Sequence, residues 1–390
     1  MSENLNEKKR RLPVGLLVLL FLGLVAIPGG WYTGITSIET VNMLGRYMCF
    51  AIVAIGLDLV WGYSGVLSLC QALFFSLGGY AFGMFCAHHG GPEGLIDATG
   101  WKLPACFFVV YPYQVGEGPT DALVPWFWKL SWYLPVAVLL GLVIPGLVGF
   151  VIGFFGFRSR VRGVYFAILT QAITVAAWNF FCMNNMKFCG TNGLTRFKYI
   201  CTTMHPPGTK CAEYAPWDLS DPKVQMTLYL ATLFCLAGVY WLSIAITRSR
   251  LGRVLIAIRD DENTICFSGY DPANYKIFIY VVAAMIGGLG GVLYAPQMKI
   301  FTPEYMTAKW SILVVIWVAV GGRGSLSGAV LGALGVNLVY NFLTSRAAET
   351  WPFIQGLMFI LVVLLWPDGL MGILDRLRLR GIEFKLRFKI

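Results

Sequence analysis

Charge is what this chain has least of. Only 13% of its 390 residues are Asp, Glu, Lys or Arg, against 57% hydrophobic. That excludes a soluble domain, which typically carries about 25% charged residues. Histidine is nearly absent too, with His88, His89 and His205 the only three. No paired carboxylates and no Cys–His arrangement fall on one face of an apolar run. An intramembrane hydrolase or acyltransferase therefore has no visible centre, and no catalytic residue is expected. The phosphate-loop pattern G-x-x-x-x-G-K-[ST] does not occur, so nucleotide is not held that way. The alternating ~10-residue segments of a transmembrane barrel are also missing. Ten cysteines are present, none at a metal-ligand spacing. His88-His89 reads as a polar span end or as a metal-binding pair, and no bound metal or cofactor is expected.

What is there is a series of long apolar runs. A helix needs about 20 apolar residues to cross the hydrocarbon core. The fold class expected is an all-α polytopic membrane protein of about ten transmembrane helices, forming one transmembrane domain over 1–390. The spans are read at 12–32, 40–62, 65–88, 131–157, 163–184, 224–247, 275–295, 306–321, 325–345 and 351–367. The first run follows a basic start, as in a signal peptide, but it is long and lacks a cleavage pattern, so it counts as a span.

The formal charge of +10 sits in clusters between spans: Lys8 to Arg11, then Arg158 and Arg160, then Arg248 and Arg250, then Arg376 to Arg380. Such clusters stay in the cytoplasm and set orientation. They read as topology rather than as a nucleic-acid footprint. An even number of crossings with both termini cytoplasmic fits, leaving a basic tail at 368–390. Two loops then fall outside, 89–130 and 185–223. Trp101, Trp126, Trp128, Trp132 and Trp217 suit a membrane–water boundary. These loops either only connect spans or dock an external partner. Cys189, Cys201 and Cys211 share the second loop, as one disulfide or as three thiols. Glycines four apart, such as Gly149 and Gly153 or Gly287 and Gly291, let helix backbones approach closely in lipid.

Polar interruptions carry the functional reading. Between Arg248 and Lys276 lies a charged, helix-prone stretch. Arg250 to Ile265 reads as one amphipathic helix, with Leu251, Val254, Leu255 and Ile258 at helical spacing and Arg253, Arg259, Asp260, Asp261 and Glu262 supplying charge. Such a loop takes force or signal from a soluble partner. Two stretches share the pattern G-x-x-G-x-L-S: Gly62 to Ser68, with Gly65, and Gly321 to Ser327, with Gly324. They read either as broken helices lining a transport site or as two tight turns. Asp58 sits inside an apolar run, where a carboxylate marks a pathway or an inter-helix contact. Ser68, Gln71, Phe74 and Phe75 follow on the third span, and Gln171, Trp178 and Asn179 lie on the fifth. These residues either bind a small polar solute or join helices. Thr191 and Asn192, in the run Gly190 to Gly193, form a turn or a lip of the path.

At this point the motifs resemble a known family. The stretch GLDLVWGYSGVLSLCQALFFSLGGYAFGM, RSRVRGVYFAILT, GTNGLT, SRLGRVLIAIRDDEN and AVGGRGSLSGAVLGA occur in order across most of the chain. Together they resemble the permeases of branched-chain amino acid ABC importers. Within that family, the pairing of LDLVWGYSG with CGTNGLTRFK is most similar to the urea importer's permease. The chain departs from the pattern at Cys70-Gln71, where the family has Gly-His. The resemblance implies a heterodimer with a second permease and two cytoplasmic ATPase subunits that bind ATP and Mg. It also implies an external substrate-binding protein and a place among the lipids of a bacterial inner membrane. The loop at 249–269, ending near Gly269, is then the coupling helix region. Urea is the expected solute. Asp58 is the one acid well inside a span, whereas the alternative solute, a branched-chain or other neutral amino acid, calls for paired charges. A standalone channel is the remaining rival, and it has no use for the 249–269 loop.

Overall fold

The computed structural model describes residues 22–34, 36–90, 100–110, 124–159, 161, 163–201, 217–347, 349, 353–357, 360 and 369–372. The expected last span at 351–367 and the basic tail lie largely outside the described residues, as do His205 and Cys211. A π turn, Leu22–Ala26, leads into the short helix α1, Ile27–Tyr32, so the expected first span is described only over its second half.

Nine longer or functionally placed helices follow α1 up to residue 321. These are α2 (Ile38–Asp58), α3 (Gln71–His89), α4 (Leu134–Arg158), α5 (Val164–Cys182) and α6 (Pro222–Arg248), then α7 (Arg250–Asp260), α8 (Glu262–Phe267), α9 (Pro272–Met298) and α10 (Ala308–Gly321). The series closes with α11, Leu326–Ala347. Among the described residues, six helices are long and apolar enough to cross a membrane: α2 with its continuation to Tyr63, α4, α5, α6, α9 and α11. The expected count of ten is thus not reached among the described residues. α10 is only 14 residues long. α3 has 19 residues but is diluted by Gly, Gln and His. It does not need a lipid-facing apolar surface, because every residue of it except Leu77 is buried.

That burial defines the architecture. α2, α3 and α9 form the centre; α4 covers α3 and α9, α6 covers α2, and the pair α10–α11 closes against α2. α5 is the least enclosed span, exposing Val164, Tyr165, Ile168, Leu169 and Phe180. The glycines bring the central backbones together. A Cβ on Gly291 would meet the Gly79 nitrogen at 2.6 Å, and one on Gly149 would meet Ala284 Cβ at 2.6 Å. Small residues thus replace the hydrophobic drive that is absent between helices in lipid.

The third expected span, 65–88, needs a correction. Residues 65–70 are not helical. The Gly56 backbone lies against the Gln71 side chain, so α3 starts beside a point some seven residues, or roughly 10 Å, before the π continuation of α2 ends at Tyr63. The connecting segment therefore runs unwound inside the bundle. Side chains satisfy its backbone: Leu69 N–H donates to Thr170 Oγ1 at 3.0 Å, and Thr174 Oγ1 donates to the Leu69 carbonyl at 3.3 Å. Non-helical backbone at membrane depth survives only with such partners.

At the end of the bundle away from α7, the two long loops pack on each other. Cys106 and Cys189 are disulfide-bonded across 83 residues of sequence, and Trp128 Nε1 donates to the Lys187 carbonyl at 2.9 Å. Cys201 is disulfide-bonded as well. The sequence reading considered pairing only within the second loop, because nothing in the spacing brings Cys106 close. Leu194 and Phe301 exchange two backbone hydrogen bonds, at 2.7 and 2.8 Å, and a two-residue ladder joins Tyr199–Ile200 to Trp217–Asp218. His88 and His89 are buried, with ring centroids 5.1 and 4.6 Å from those of Trp128 and Trp132 respectively. They pack as a polar helix end.

The close backbone approach predicts a contrast between two glycines. Gly291→Val should destabilise the protein by about 1–3 kcal/mol through overpacking. Gly238→Ala, which meets nothing within 4 Å, should leave it unchanged. Thermal unfolding in detergent, followed by intrinsic fluorescence, measures both.

Candidate functional site

The two G-x-x-G-x-L-S stretches, 259 residues apart in the chain, meet in space. Asp58 ends α2 and is 0% exposed. Beyond it the helix widens into a π turn, Leu59–Tyr63, the kind of irregularity that recurs at functional sites. Asp58 Oδ1 accepts the Gly324 N–H at 2.7 Å. A Cβ on Gly62 would lie 2.6 Å from the Gly324 nitrogen, so the two turns touch backbone to backbone. Gly324 has φ 78°, a left-handed conformation that glycine adopts without strain.

The charged loop reaches the same point. Arg259, on α7, donates from a guanidinium nitrogen to the Gly62 carbonyl at 2.9 Å. Gly65, at φ 76°, lets the Arg259 side chain lie flat: a Cβ there would be 2.8 Å from Arg259 Cγ. The Arg323 guanidinium lies over the Trp61 ring at 5.6 Å. The two motifs are therefore in mutual contact, bridged by Asp58 and Arg259: residues 322–325 form a tight turn, and the first motif runs from the π turn into the unwound segment at 65–70. Of their glycines, Gly321 packs against Gly328 and Gly332 on α11.

The helix expected over Arg250 to Ile265 is broken. It divides into α7 and α8 at Asp261, whose backbone is extended at φ −153°. The Asp261 side chain starts α8 as its N-cap, accepting from Asn263 N at 3.0 Å and from Thr264 Oγ1 at 2.5 Å. An Asp with Thr three residues on competes with helix continuation. The Thr264 hydroxyl, then the Thr264 and Asn263 amides, hold the Asp261 carboxyl below the usual carboxylate range. The cap is therefore present above the ordinary Asp pKa and is lost only as pH falls through that lowered value. Leu255 and Ile258 are buried, as the spacing predicts, with Leu251 and Val254 half-buried. Arg253, Asp260 and Gly269 are exposed, Arg259 pairs with Asp260 at 3.0 Å, and Glu262 pairs with Lys276 at 2.9 Å. A cavity of about 150 Å³ lies between this loop and the first motif, lined by Gly65, Phe157, Phe166, Arg259, Glu262 and Lys276 among others.

The remaining candidates separate into two groups. In the centre, Ser68 Oγ meets Tyr280 OH at 3.1 Å, and Gln71 Nε2 donates to the Ala283 carbonyl at 2.9 Å. Phe74 sits edge-on to Tyr280, and Phe75 joins Phe50, Tyr294, Phe301 and Tyr305 in an aromatic cluster. These four tie α3 to its neighbours. On α5, Gln171 has both amide atoms buried without a partner, Trp178 is half-buried, and Asn179 is exposed and bonded only to its own Val175 carbonyl. Thr191 and Asn192 are exposed in a 3-10 turn.

The sequence reading missed Thr170, Thr174 and Tyr280, which hold the unwound segment. Two threonines one helical turn apart in an apolar run were the available signal. It also passed over Arg46, a cation eight residues into α2.

Residues 39–363 match a family described as branched-chain amino acid transport system / permease component. The chain belongs to this family. It is 25% identical over 375 residues to the high-affinity branched-chain amino acid transport system permease protein LivM of Escherichia coli K12, covering 93% of the chain and 75% of that relative. A probable branched-chain amino acid transport permease protein LivM from Methanocaldococcus jannaschii is 23% identical over 352 residues, 86% of the chain and 94% of the relative. The E. coli K12 permease protein LivH matches a shorter stretch, at 23% over 157 residues, 40% of the chain and half of LivH. No solved structure matches. As a permease component with membrane-spanning helices, the chain is a multi-pass transport subunit and not an enzyme.

The joint predicts a graded response at Asp58. Asp58→Ala strands the buried Gly324 N–H and should cost about 1–3 kcal/mol. Asp58→Asn keeps an acceptor oxygen and should cost less. Combined with Arg259→Ala, which removes the other tie to the same turn, the losses should fall short of their sum. Thermal unfolding of the four variants tests this.

Proposed function

We propose that this permease is one of two transmembrane subunits of an ATP-driven importer for branched-chain or related neutral amino acids. The match to the permease family over residues 39–363 carries the reading, and its relatives, named as branched-chain amino acid transport permeases, favour this solute over urea. In this reading a second permease completes the path, two cytoplasmic ATPase subunits bind ATP and Mg, and an external binding protein delivers the solute. The basic clusters put both termini and α7–α8 on the cytoplasmic side of a bacterial inner membrane.

The joint suits force transfer. α7 offers charges to a partner while its buried face rests on the bundle, and Arg259 ties it to Gly62. A push on α7 is then felt at the π turn of α2 and, through Asp58, at the turn that opens α11. Both ends of that lever are hydrogen-bonded backbone, so displacement of one shifts the other between two packings. The path candidates are Gln171, Trp178 and Asn179 on the weakly enclosed α5, with Thr191 and Asn192 at its outer end. Ser68, Gln71, Phe74 and Phe75 act by holding the unwound segment beside them.

Urea stays the second reading, because LDLVWGYSG and CGTNGLTRFK together are most similar to a urea importer's permease. Reconstitution of the whole complex in proteoliposomes separates the readings. Leucine should accumulate uphill with ATP and binding protein, and not without ATP. Urea accumulation without leucine accumulation would reverse the solute, and downhill flux through the chain alone would make it a channel. Replacing 250–267 with a neutral linker should abolish ATP-dependent uptake.

A further inference from the structure

We propose that Arg46 is a solute-recognition residue that receives the carboxylate of an amino acid in transit, with Phe50 and its aromatic neighbours receiving the aliphatic end. This inference rests on the importer reading above and assigns its solute chemistry to named atoms.

Arg46 lies about 12 Å along α2 from Ile38, within a span. An arginine at that depth needs a counter-charge or a watered cavity. Among the described residues no carboxylate forms an ion pair with it. One guanidinium nitrogen donates only to Met298 Sδ, at 3.2 Å. Its Nε is buried and unpartnered. The residue as a whole is half-buried.

The surroundings are those of an amphiphilic anion site. Tyr47, Tyr294 and Tyr305 lie within range of the Arg46 charge. The Tyr294 and Tyr305 hydroxyls bond each other at 3.0 Å. Gln297 Oε1, beside Gly45, is buried without a donor, while its Nε2 donates to Thr232 Oγ1 at 2.7 Å. Exposed Glu304, next to Tyr305, adds negative charge at the same mouth.

The apolar half lies one helical turn on. Phe50, four residues after Arg46, faces the same side of α2. Its ring is 5.5 Å from Trp310 and 5.0 Å from Trp317. Tyr305, 4.9 Å from Trp310, belongs to both halves. The crevice between Phe50, Phe75, Tyr305, Trp310 and Trp317 is closed to about 10 Å³, room for one water. Outward movement of α10 from α2 opens it to an aliphatic side chain. A cation beside an aromatic slot matches an aliphatic amino acid and has no counterpart in urea.

The test uses the full complex in proteoliposomes with leucine-loaded binding protein. Arg46→Gln should lower leucine uptake per ATP hydrolysed by roughly tenfold or more, the worth of one charge-assisted contact. Binding-protein-stimulated ATP hydrolysis should persist, and Arg46→Lys should restore much of the uptake. Unchanged uptake in Arg46→Gln overturns the proposal. So does loss of the second permease from the purified variant complex, which would make Arg46 an inter-subunit ion pair. A wild-type complex that accumulates urea and not leucine defeats the importer's solute reading itself. Wild-type leucine uptake with an indifferent Arg46→Gln defeats only the assignment of Arg46.

Discussion

The Asp58 carboxylate, fully buried where α2 ends, is the constraint around which this end of the molecule is arranged. A carboxylate out of water costs several kcal/mol unless its lone pairs are met. Gly324 N–H meets one oxygen, and the Arg323 charge lies in range of the group. For the amide to arrive, both turns must lack side chains at the contact, which is why Gly62 and Gly324 face each other. For the joint to be closed, the Gly62 carbonyl needs a donor of its own, and Arg259 supplies it from α7. One buried acid thus links three segments that are distant in sequence.

The same accounting explains the inside of the bundle. α2 passes its turn and the chain re-enters as six unwound residues before α3 begins. Their polar backbone is tolerated because Thr170 and Thr174 on α5, with Ser68 and Tyr280, provide partners. The unwinding also places Gln71 beside Gly56 and Gly287, where its amide bonds α9. Ser68 and Gln71, which look like solute ligands in a linear reading, are bonded to Tyr280 and to the Ala283 carbonyl beside the irregular segment. Gln171, with an unspent amide, is the exception.

Much of the architecture was legible. Spans at 131–157, 163–184, 224–247, 275–295 and 325–345 agree with α4, α5, α6, α9 and α11 to within a few residues, because a bilayer sets length and composition together. The buried stripe of α7 was legible from period, since Leu255 and Ile258 recur at helical spacing. The break at Asp261 was not separable from a surface charge: capping depends on which conformation the backbone adopts, and the same residues also suit a continuous helix. Likewise 65–70 has a span's composition but not its conformation, since the partners that permit unwinding come from α5 and α9.

By itself the sequence determined the class, most of the spans and the charged loop between two of them, and its ordered motifs gave the resemblance to a transport family. The class, spans and loop follow from local composition and period, which the solvent reads one segment at a time. Only the tertiary structure decided that the two glycine motifs are one contact, that Asp58 and Arg259 share it, that Cys106 bonds Cys189, and that Arg46 donates to Met298. Each is a pairing across many tens of residues or more, and pairing depends on which backbones can approach, a property of the packed whole.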